Sequence, residues 1–112
     1  MQTNWSKEFP AAITVCNKEG IIIDMNDKAA ISFAKDGGYG LIGKNMFACH
    51  KDSSNQMIKQ IMNDKKPNIY TIEKNGIKKL IYQSPWYDNG EMKGLVELSL
   101  EIPFDLPHFI RS

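Results

Sequence analysis

The alternation of apolar and polar residues near the carboxyl end of the chain predicts three antiparallel strands in a meander. Asn75-Gly76 separates two β-rich runs, 69–72 and 79–82, and accepts the positive φ angles of a two-residue hairpin turn. Asp88-Asn89-Gly90 marks the second reversal. The third strand alternates strictly, with Lys93, Glu97, Ser99 and Glu101 on one face and Gly94, Val96, Leu98, Leu100 and Ile102 on the other. Period-two alternation is typical of a half-covered strand, so we expect the apolar face to be the buried one.

The amino-terminal half predicts a β-hairpin followed by a short helix. Residues 12–16 are rich in β-branched side chains, Asn17-Lys18-Glu19-Gly20 is typical of a turn, and Ile21-Ile22-Ile23 begins the return strand. Asn26 is a favourable helix N-cap, with Asp27 in the first turn, where the helix dipole favours an acid. The apolar face of this helix would hold Ala29, Ala30, Phe33 and Ala34.

A longer helix is predicted between Ser53 or Ser54, as its cap, and Lys66-Pro67, which ends it. Its apolar face holds Met57, Ile58, Ile61 and Met62. The segment between the two helices, residues 39–50, contains Gly40 and Gly43 without a sustained period. It is therefore predicted to be a loop with at most one helical turn.

Length and composition limit the classes of protein to which this chain can belong. Its 112 residues suit one domain, which we divide into an amino-terminal cap (1–9), a core (10–102) and a tail (103–112). The net charge of +1 predicts no nucleic-acid partner, and no apolar run is long enough to predict membrane insertion. The amino terminus shows no secretory pattern, so we expect a cytoplasmic protein with Cys16 and Cys49 reduced.

Three segments together resemble a PAS domain over residues 8–102. The first is Gly20-Ile21-Ile22-Ile23-Asp24-Met25-Asn26-Asp27-Lys28-Ala29, the second Leu41-Ile42-Gly43-Lys44-Asn45, and the third the last two strands, 82–102. Cys49-His50 ahead of the long helix, and the meander after it, are similar to the PAS module of a group of small, free-standing bacterial sensory proteins. This resemblance implies an α+β fold with a five-stranded antiparallel sheet, in the order 2-1-5-4-3, and short helices packed on one face around a small cavity.

The resemblance also implies a non-enzymatic module for signal sensing and protein interaction, with a small molecule bound in the central cavity. Pockets of this kind are mostly apolar with a few polar anchors, and the alternative is that the same side chains simply fill the core. The candidate lining residues are Phe33, Asn45, Phe47, Met57, Ile61, Met62, Tyr82, Leu98 and Leu100, with Gln83 as a further candidate anchor.

The hairpin turn at Asn75-Gly76 sets a register that makes both sheet faces partly apolar. It places Glu73 opposite Lys78 and Tyr70 opposite Ile81. Because monomers rarely expose large apolar patches, the outer face needs a cover. The candidate covers are the amino-terminal turn, the tail and a second copy of the chain. We expect a homodimer, and an unidentified downstream protein partner. The interface residues would be Trp5, Phe9, Ile69, Leu80 and Tyr82.

Cofactor and enzyme chemistry receive little support from the sequence. His50 next to Cys49 suggests a haem-based sensor with His50 as axial ligand, although haem-binding PAS domains usually carry that histidine on the long helix. Flavin-binding relatives carry an Asn-Cys-Arg-Phe core where this chain has Phe47-Ala48-Cys49-His50. No metal-ligand spacing or catalytic set is evident. Asp24, Asp27, Glu73 and Glu97 are interpreted as solvated surface carboxylates.

Overall fold

One antiparallel sheet carries the short helices on one of its faces. The computed structural model describes residues 3–46 and 52–112, and five strands occur within them. They are β1 (Ala12–Asn17), β2 (Ile22–Met25), β3 (Asn68–Lys74), β4 (Ile77–Asp88) and β5 (Glu91–Ile102). Their order, β2-β1-β5-β4-β3, confirms the predicted sheet. The helices are α1 (Asp27–Ser32) and α2 (Asp52–Asp64), with short 3-10 turns at Ala34–Asp36 and Gly38–Leu41 between them.

Both tight reversals of the meander are the turns that the sequence predicts. Asn75 and Gly76 have φ angles of 54° and 78°, and Asn89 and Gly90 have 52° and 78°. Positive φ at both central positions is what a two-residue hairpin between twisted strands needs. The resulting register places Glu73 opposite Lys78 and Tyr70 opposite Ile81, as predicted.

The first hairpin is closed by the side chain of Asn17. Its Oδ1 accepts hydrogen bonds from the backbone N–H groups of Glu19, at 3.0 Å, and Ile21, at 2.9 Å. Gly20 takes a φ of 84° within this turn. Ile21 forms an isolated bridge with Asn45, so β2 begins one residue later than predicted. This bridge fixes the loop that follows the second 3-10 turn against the start of β2.

Asn26 joins the amino-terminal turn, β1 and α1 through one buried amide. Its Oδ1 accepts from the N–H of Ile13 at 2.9 Å and of Ala29 at 3.1 Å, the second bond being the helix cap. Its Nδ2 donates to the carbonyl oxygens of Ser6 at 2.9 Å and Ala11 at 2.7 Å. An amide has two donors and two acceptor sites, so both of its polar atoms are fully used.

Helix α2 lies across the sheet with only part of its apolar face buried. Ile58, Ile61 and Met62 are buried in the core. Met57 is 45% exposed, which corrects its predicted place among the lining residues of a central cavity. Within residues 3–46 and 52–112, no helix is both long and apolar enough to cross a bilayer.

The two faces of β5 are used in the opposite way from the prediction. Leu95 and Glu97 lie on the side of the sheet that faces the helices, where both line a cavity. Alternation along the strand then places Val96, Leu98 and Leu100 on the outer face. The reason is that α2 and the segment after α1 cover the face of the sheet that carries Cys16 and Leu95. Both of these side chains are almost fully buried.

Gly94 allows β1 and β5 to approach closely at the end of this pairing. A Cβ atom built on Gly94 would lie 2.0 Å from the carbonyl oxygen of Cys16, far inside contact distance, and Gly94 has a φ of 157°. Trp86, which is paired with Gly94, donates its indole N–H to the same carbonyl oxygen at 3.0 Å. A residue without a side chain is therefore required at position 94.

An exposed cluster of three side chains ties the amino-terminal turn to the helical side. Lys7 Nζ contacts both carboxylate oxygens of Asp27, at 3.1 and 3.2 Å, and Tyr39 donates its hydroxyl to Asp27 Oδ1. The bond from Tyr39, followed by that from Lys7, holds the pKa of Asp27 below its ordinary value. The same bond to Asp27 raises the pKa of Tyr39 to about 12.

We predict that Asn26→Ala lowers the free energy of unfolding by about 2–4 kcal/mol, because it removes the helix cap and leaves buried N–H and C=O groups without hydrogen-bond partners. The melting temperature should then fall by roughly 10–20 °C. Thermal unfolding followed by circular dichroism measures this. Asn63→Ala, at an exposed position of α2, is the control and should change the melting temperature little. Equal melting temperatures for the Asn26 variant and the wild type would contradict the role of this amide.

We predict that Tyr39 titrates with a midpoint of about 12, against an ordinary value of 10.0. The raised pKa means that this bond contributes stability below pH 10 and loses it as the pH rises through 12. The carboxylate of Asp27 has the opposite dependence at acid pH. Its pKa is lowered, so the stability that it contributes is present above the ordinary pKa of 3.8 and is lost as the pH falls below that value.

The difference in phenolate absorbance between the wild type and Tyr39→Phe isolates this residue. Asp27→Asn should return the midpoint of Tyr39 towards 10.0, because the carboxylate that accepts its proton is gone. Lys7→Met leaves that carboxylate in place and should move the midpoint much less. A midpoint near 10 in the wild type would show that Tyr39 does not donate to Asp27 in solution.

Candidate functional site

A cavity of about 250 Å³ lies between the helical segment and the strands β1, β2 and β5. The strands contribute its floor, and the segment from the end of α1 to the loop after the second 3-10 turn contributes its walls. Its lining residues are Thr14, Cys16, Ile22, Phe33, Asp36, Leu41, Lys44, Met46, Leu95 and Glu97. A mostly apolar lining with a few polar side chains is typical of small-molecule sites.

A second cavity of about 150 Å³ continues along the same face of the sheet. It shares Thr14, Phe33 and Glu97 with the first cavity and adds Lys79 and Ser99 among its polar residues. Thr14 and Glu97 face each other directly across the β1–β5 pairing. These two side chains and the ring of Phe33 therefore stand between the two spaces, at the centre of the helix-facing side.

The carboxylate of Glu97 is oriented by a chain of hydrogen bonds from the neighbouring strands. Gln83 Nε2 donates to Glu97 Oε2 at 2.7 Å, and Asn68 Nδ2 donates to Gln83 Oε1 at 3.0 Å. Gln83 is 7% exposed, so its amide is held in one place by burial and by both bonds. Sequence analysis considered Gln83 an anchor of the cavity, whereas the structure places Glu97 on the lining and Gln83 behind it.

The charge of Glu97 acts on two neighbouring side chains of the same face. Burial raises the pKa of the Cys16 thiol; a backbone hydrogen bond from Leu95 lowers it in part, and the charge of Glu97 raises it further. Burial and then the charge of Glu97 also raise the pKa of Tyr70. Cys16 is thus held as the neutral thiol, which is a poor nucleophile, and it serves as part of the apolar wall.

The structure distributes the predicted cavity residues over three different environments. Phe33 lines both cavities. Ile61 and Met62 are buried in the core cluster, which is the alternative that the sequence left open for them. Asn45 is exposed, and its Nδ2 donates to the backbone carbonyl of Glu19 at 3.4 Å, so it holds the loop rather than facing the cavity.

Tyr82, Leu98 and Leu100 lie on the outer face of the sheet, which corrects their assignment to the cavity. Leu98 is paired with Tyr82 on one side and with Ile13 on the other, and Leu100 is paired with Leu80. The strict alternation of β5 was recognised from the sequence, but its apolar face was assigned to the wrong side. Glu97, interpreted as a solvated surface carboxylate, is correspondingly found on the cavity side.

Sequence reasoning missed the other lining residues of this cavity, four of which, Thr14, Cys16, Leu95 and Glu97, lie on β1 and β5. The signal for these four was present in the pairing of β1 with β5, since Thr14 opposes Glu97 and Cys16 opposes Leu95. What could not be seen was which face of this pair the helices cover. Phe47, Cys49 and His50 lie outside the described residues, so their predicted roles stay predictions.

No group of histidine, cysteine and acidic side chains within the described ranges is arranged to hold a metal ion. The described histidine, His108, is exposed in the tail. None of the described lining residues of either cavity is a histidine. The haem hypothesis therefore rests on His50 alone.

The outer face presents a row of apolar side chains across four strands. Ile69, Tyr82, Leu98 and Ile13 are consecutive cross-strand partners. Ile69 is 51% exposed, and the other three are half-buried. The two ends of the chain carry further exposed apolar groups: Trp5 and Phe9, whose rings pack edge to face, and the tail residues Phe104, Leu106, Phe109 and Ile110.

Comparison with solved structures finds the same architecture in several sensory proteins. One is the Aer2 receptor of Vibrio cholerae, described as a dual PAS-haem oxygen sensor, at 21% identity, with a TM-score of 0.62 over 83% of this chain and 95% of that one. Another is the PAS domain of the histidine kinase ThkA, at 18% identity, with a TM-score of 0.62 over 80% and 97%.

A third similar structure is the Vibrio cholerae VqmA dimer, which belongs to the LuxR-type receptors. It is 12% identical, with a TM-score of 0.69 over 88% of this chain and 49% of that one. No protein-family model and no curated protein matches the sequence at a significant level. At these identities the likeness establishes the fold and does not by itself transfer a ligand or a partner.

Proposed function

This chain has the PAS fold, and on that premise we propose that it is a sensory and protein-interaction module without enzymatic activity. It binds a small molecule in the cavity on the helix side of the sheet and signals through the outer face. The observation that carries the proposal is the 250 Å³ cavity with the oriented carboxylate of Glu97 in its lining. A mostly apolar space with a fixed polar anchor is what a small-molecule sensor needs.

Strand β5 provides the physical link between ligand and output. Glu97 lines the cavity, while its neighbours Val96 and Leu98 belong to the outer face. A ligand that pulls or displaces the backbone at Glu97 therefore moves side chains on the opposite surface. Such a ligand changes association only by the difference between its affinities for the two arrangements of the strand.

A second copy of the chain is the proposed occupant of the outer face. The row of Ile13, Leu98, Tyr82 and Ile69 is apolar from one strand to the next, and Leu80 and Leu100 extend it. Two such faces are self-complementary, as a two-fold symmetric dimer requires. The similar VqmA structure is described as a dimer, which is consistent with this proposal.

A haem-based function remains the alternative suggested by sequence, and the similar Aer2 receptor is described as a haem sensor. It depends on His50, and none of the described cavity residues adds a ligand for iron to it. We therefore favour a ligand held by hydrogen bonds and apolar contacts over one held by a metal bond.

We predict that Thr14→Ile weakens ligand binding without loss of stability. Thr14 stands between the two cavities, so the added carbon atoms fill space that a ligand would use. Small aromatic and aliphatic fragments can be screened by the shifts they cause in the amide signals of Thr14, Leu95 and Glu97. The variant should bind a fragment at least about tenfold more weakly, which corresponds to roughly 1.4 kcal/mol.

Val15→Ile is the matched control, because it enlarges the next residue of the same strand on the opposite face. It should leave fragment binding intact. A screen in which no fragment shifts the cavity signals would contradict the ligand-binding function, as would unchanged binding by the Thr14 variant.

We predict that the wild type is a dimer in solution and that Leu98→Glu makes it a monomer. A carboxylate at the centre of the apolar row would be buried without a partner in the dimer. The dissociation constant should rise by roughly a hundredfold or more, equivalent to about 3 kcal/mol. Light scattering after size-exclusion chromatography and native mass spectrometry measure the masses over a range of concentrations.

Ile31→Glu controls for the general effect of an added charge. Ile31 is 74% exposed on α1, away from the outer face, and its replacement should leave the dimer intact. A wild-type protein that stays monomeric at all concentrations would remove the homodimer. Loss of the dimer in the Ile31 variant but not in the Leu98 variant would place the interface on the helical side.

A further inference from the structure

We propose that the cavity selects ligands with a protonated amine, held by the carboxylate of Glu97. This inference rests on the proposed ligand-binding function and adds the chemical class of the ligand. It follows from three observations: the unused hydrogen-bonding capacity of Glu97, the charges around the cavity, and the position of an aromatic ring beside the carboxylate.

One carboxylate oxygen of Glu97 is bonded within the protein, and the other has no partner among the described residues. Its Oε2 accepts from Gln83 Nε2 at 2.7 Å. Its Oε1 receives no hydrogen bond from any residue in the described part of the chain. Thr14, directly opposite on β1, likewise has no side-chain hydrogen bond to another described residue. A fixed carboxylate oxygen beside a hydroxyl offers two acceptors for one donor group.

The described ionic groups that line the main cavity favour a positive guest. They are two carboxylates, Asp36 and Glu97, and one ammonium, Lys44. Lys79 lines the second cavity together with Glu97. Neither lysine forms an ion pair with Glu97 within 4.0 Å, and no other described cation does. The free oxygen of Glu97 therefore needs hydrogen-bond donors from outside the described part of the protein.

A ligand that covers the free oxygen of Glu97 must supply donors of its own, or the carboxylate loses its solvation without compensation. An ammonium group supplies them with a charge-assisted bond, which is stronger than a neutral one. A ligand carboxylate would meet the like charge of Glu97 and be rejected. Phe33, which lines both cavities beside Glu97, adds an aromatic wall that suits a cation or an aromatic group.

Three probes of nearly the same shape separate charge from size and apolar contact. They are 2-phenylethylammonium, 2-phenylethanol and phenylacetate, each titrated into the full chain while the amide signals of Thr14, Leu95 and Glu97 are recorded. The ammonium should bind roughly tenfold to a hundredfold more tightly than the alcohol. Phenylacetate should bind more weakly than the alcohol.

Glu97→Gln removes the charge and keeps an oxygen that can accept from Gln83. It should abolish the preference for the ammonium over the alcohol. Binding of the alcohol that remains, followed by the amide signals of Thr14 and Leu95, shows that the cavity is intact. Glu101→Gln is the control, since Glu101 lies four residues further along β5 on the same face and pairs with Lys28 at 3.8 Å. This variant should keep the preference of the wild type.

The outcomes distinguish this inference from the function on which it rests. Equal affinities for the ammonium and the alcohol would overturn amine selection and leave the ligand-binding function standing. Fragments that bind in the cavity while all three probes fail would do the same. An ammonium preference that survives in the Glu97 variant would assign recognition to another group and overturn the role of Glu97.

Discussion

The structure depends on one buried amide that satisfies backbone groups from three segments at once. Asn26 caps α1 and forms hydrogen bonds with β1 and with the amino-terminal turn. These four short bonds fix the direction in which the chain leaves the first hairpin. These bonds lie where water is excluded, and each would leave an unpaired buried group if lost. The position of α1, and with it the wall of the cavity that Phe33 provides, follows from this one residue.

The second constraint is the two-sided chemistry of β5. Its helix-facing side carries Leu95 and Glu97, and its outer side carries Val96, Leu98 and Leu100. A strand that places a carboxylate towards the core side and an apolar row towards the outside is a poor design for an isolated monomer. It becomes a sensible one if the carboxylate meets a ligand and the apolar row meets a partner. The proposed function and the fold thus depend on the same departure from simple amphipathic patterning.

Local signals predicted the elements well, because turns and caps are decided within a few residues. Asn75-Gly76 and Asn89-Gly90 form the reversals expected of them, and Asn26 is the predicted cap. The order of the strands, which the resemblance to the PAS fold implied, was confirmed by the structure. The candidate site was predicted poorly: of the described cavity candidates, Phe33 alone lines the main cavity. Met57 proved exposed, Asn45 holds a loop, and Tyr82 and Leu98 lie on the other face.

The sequence by itself therefore determined the period of each element, the register of the hairpins and the residues that share a face. These properties follow from backbone geometry and from neighbours along the chain. Only the tertiary structure decided which face of the sheet the helices cover, and hence that Glu97 lines a cavity while Leu98 lies outside. A period-two pattern is identical when seen from either side. The choice between the sides depends on where distant segments pack, and alternation along one strand carries no information about them.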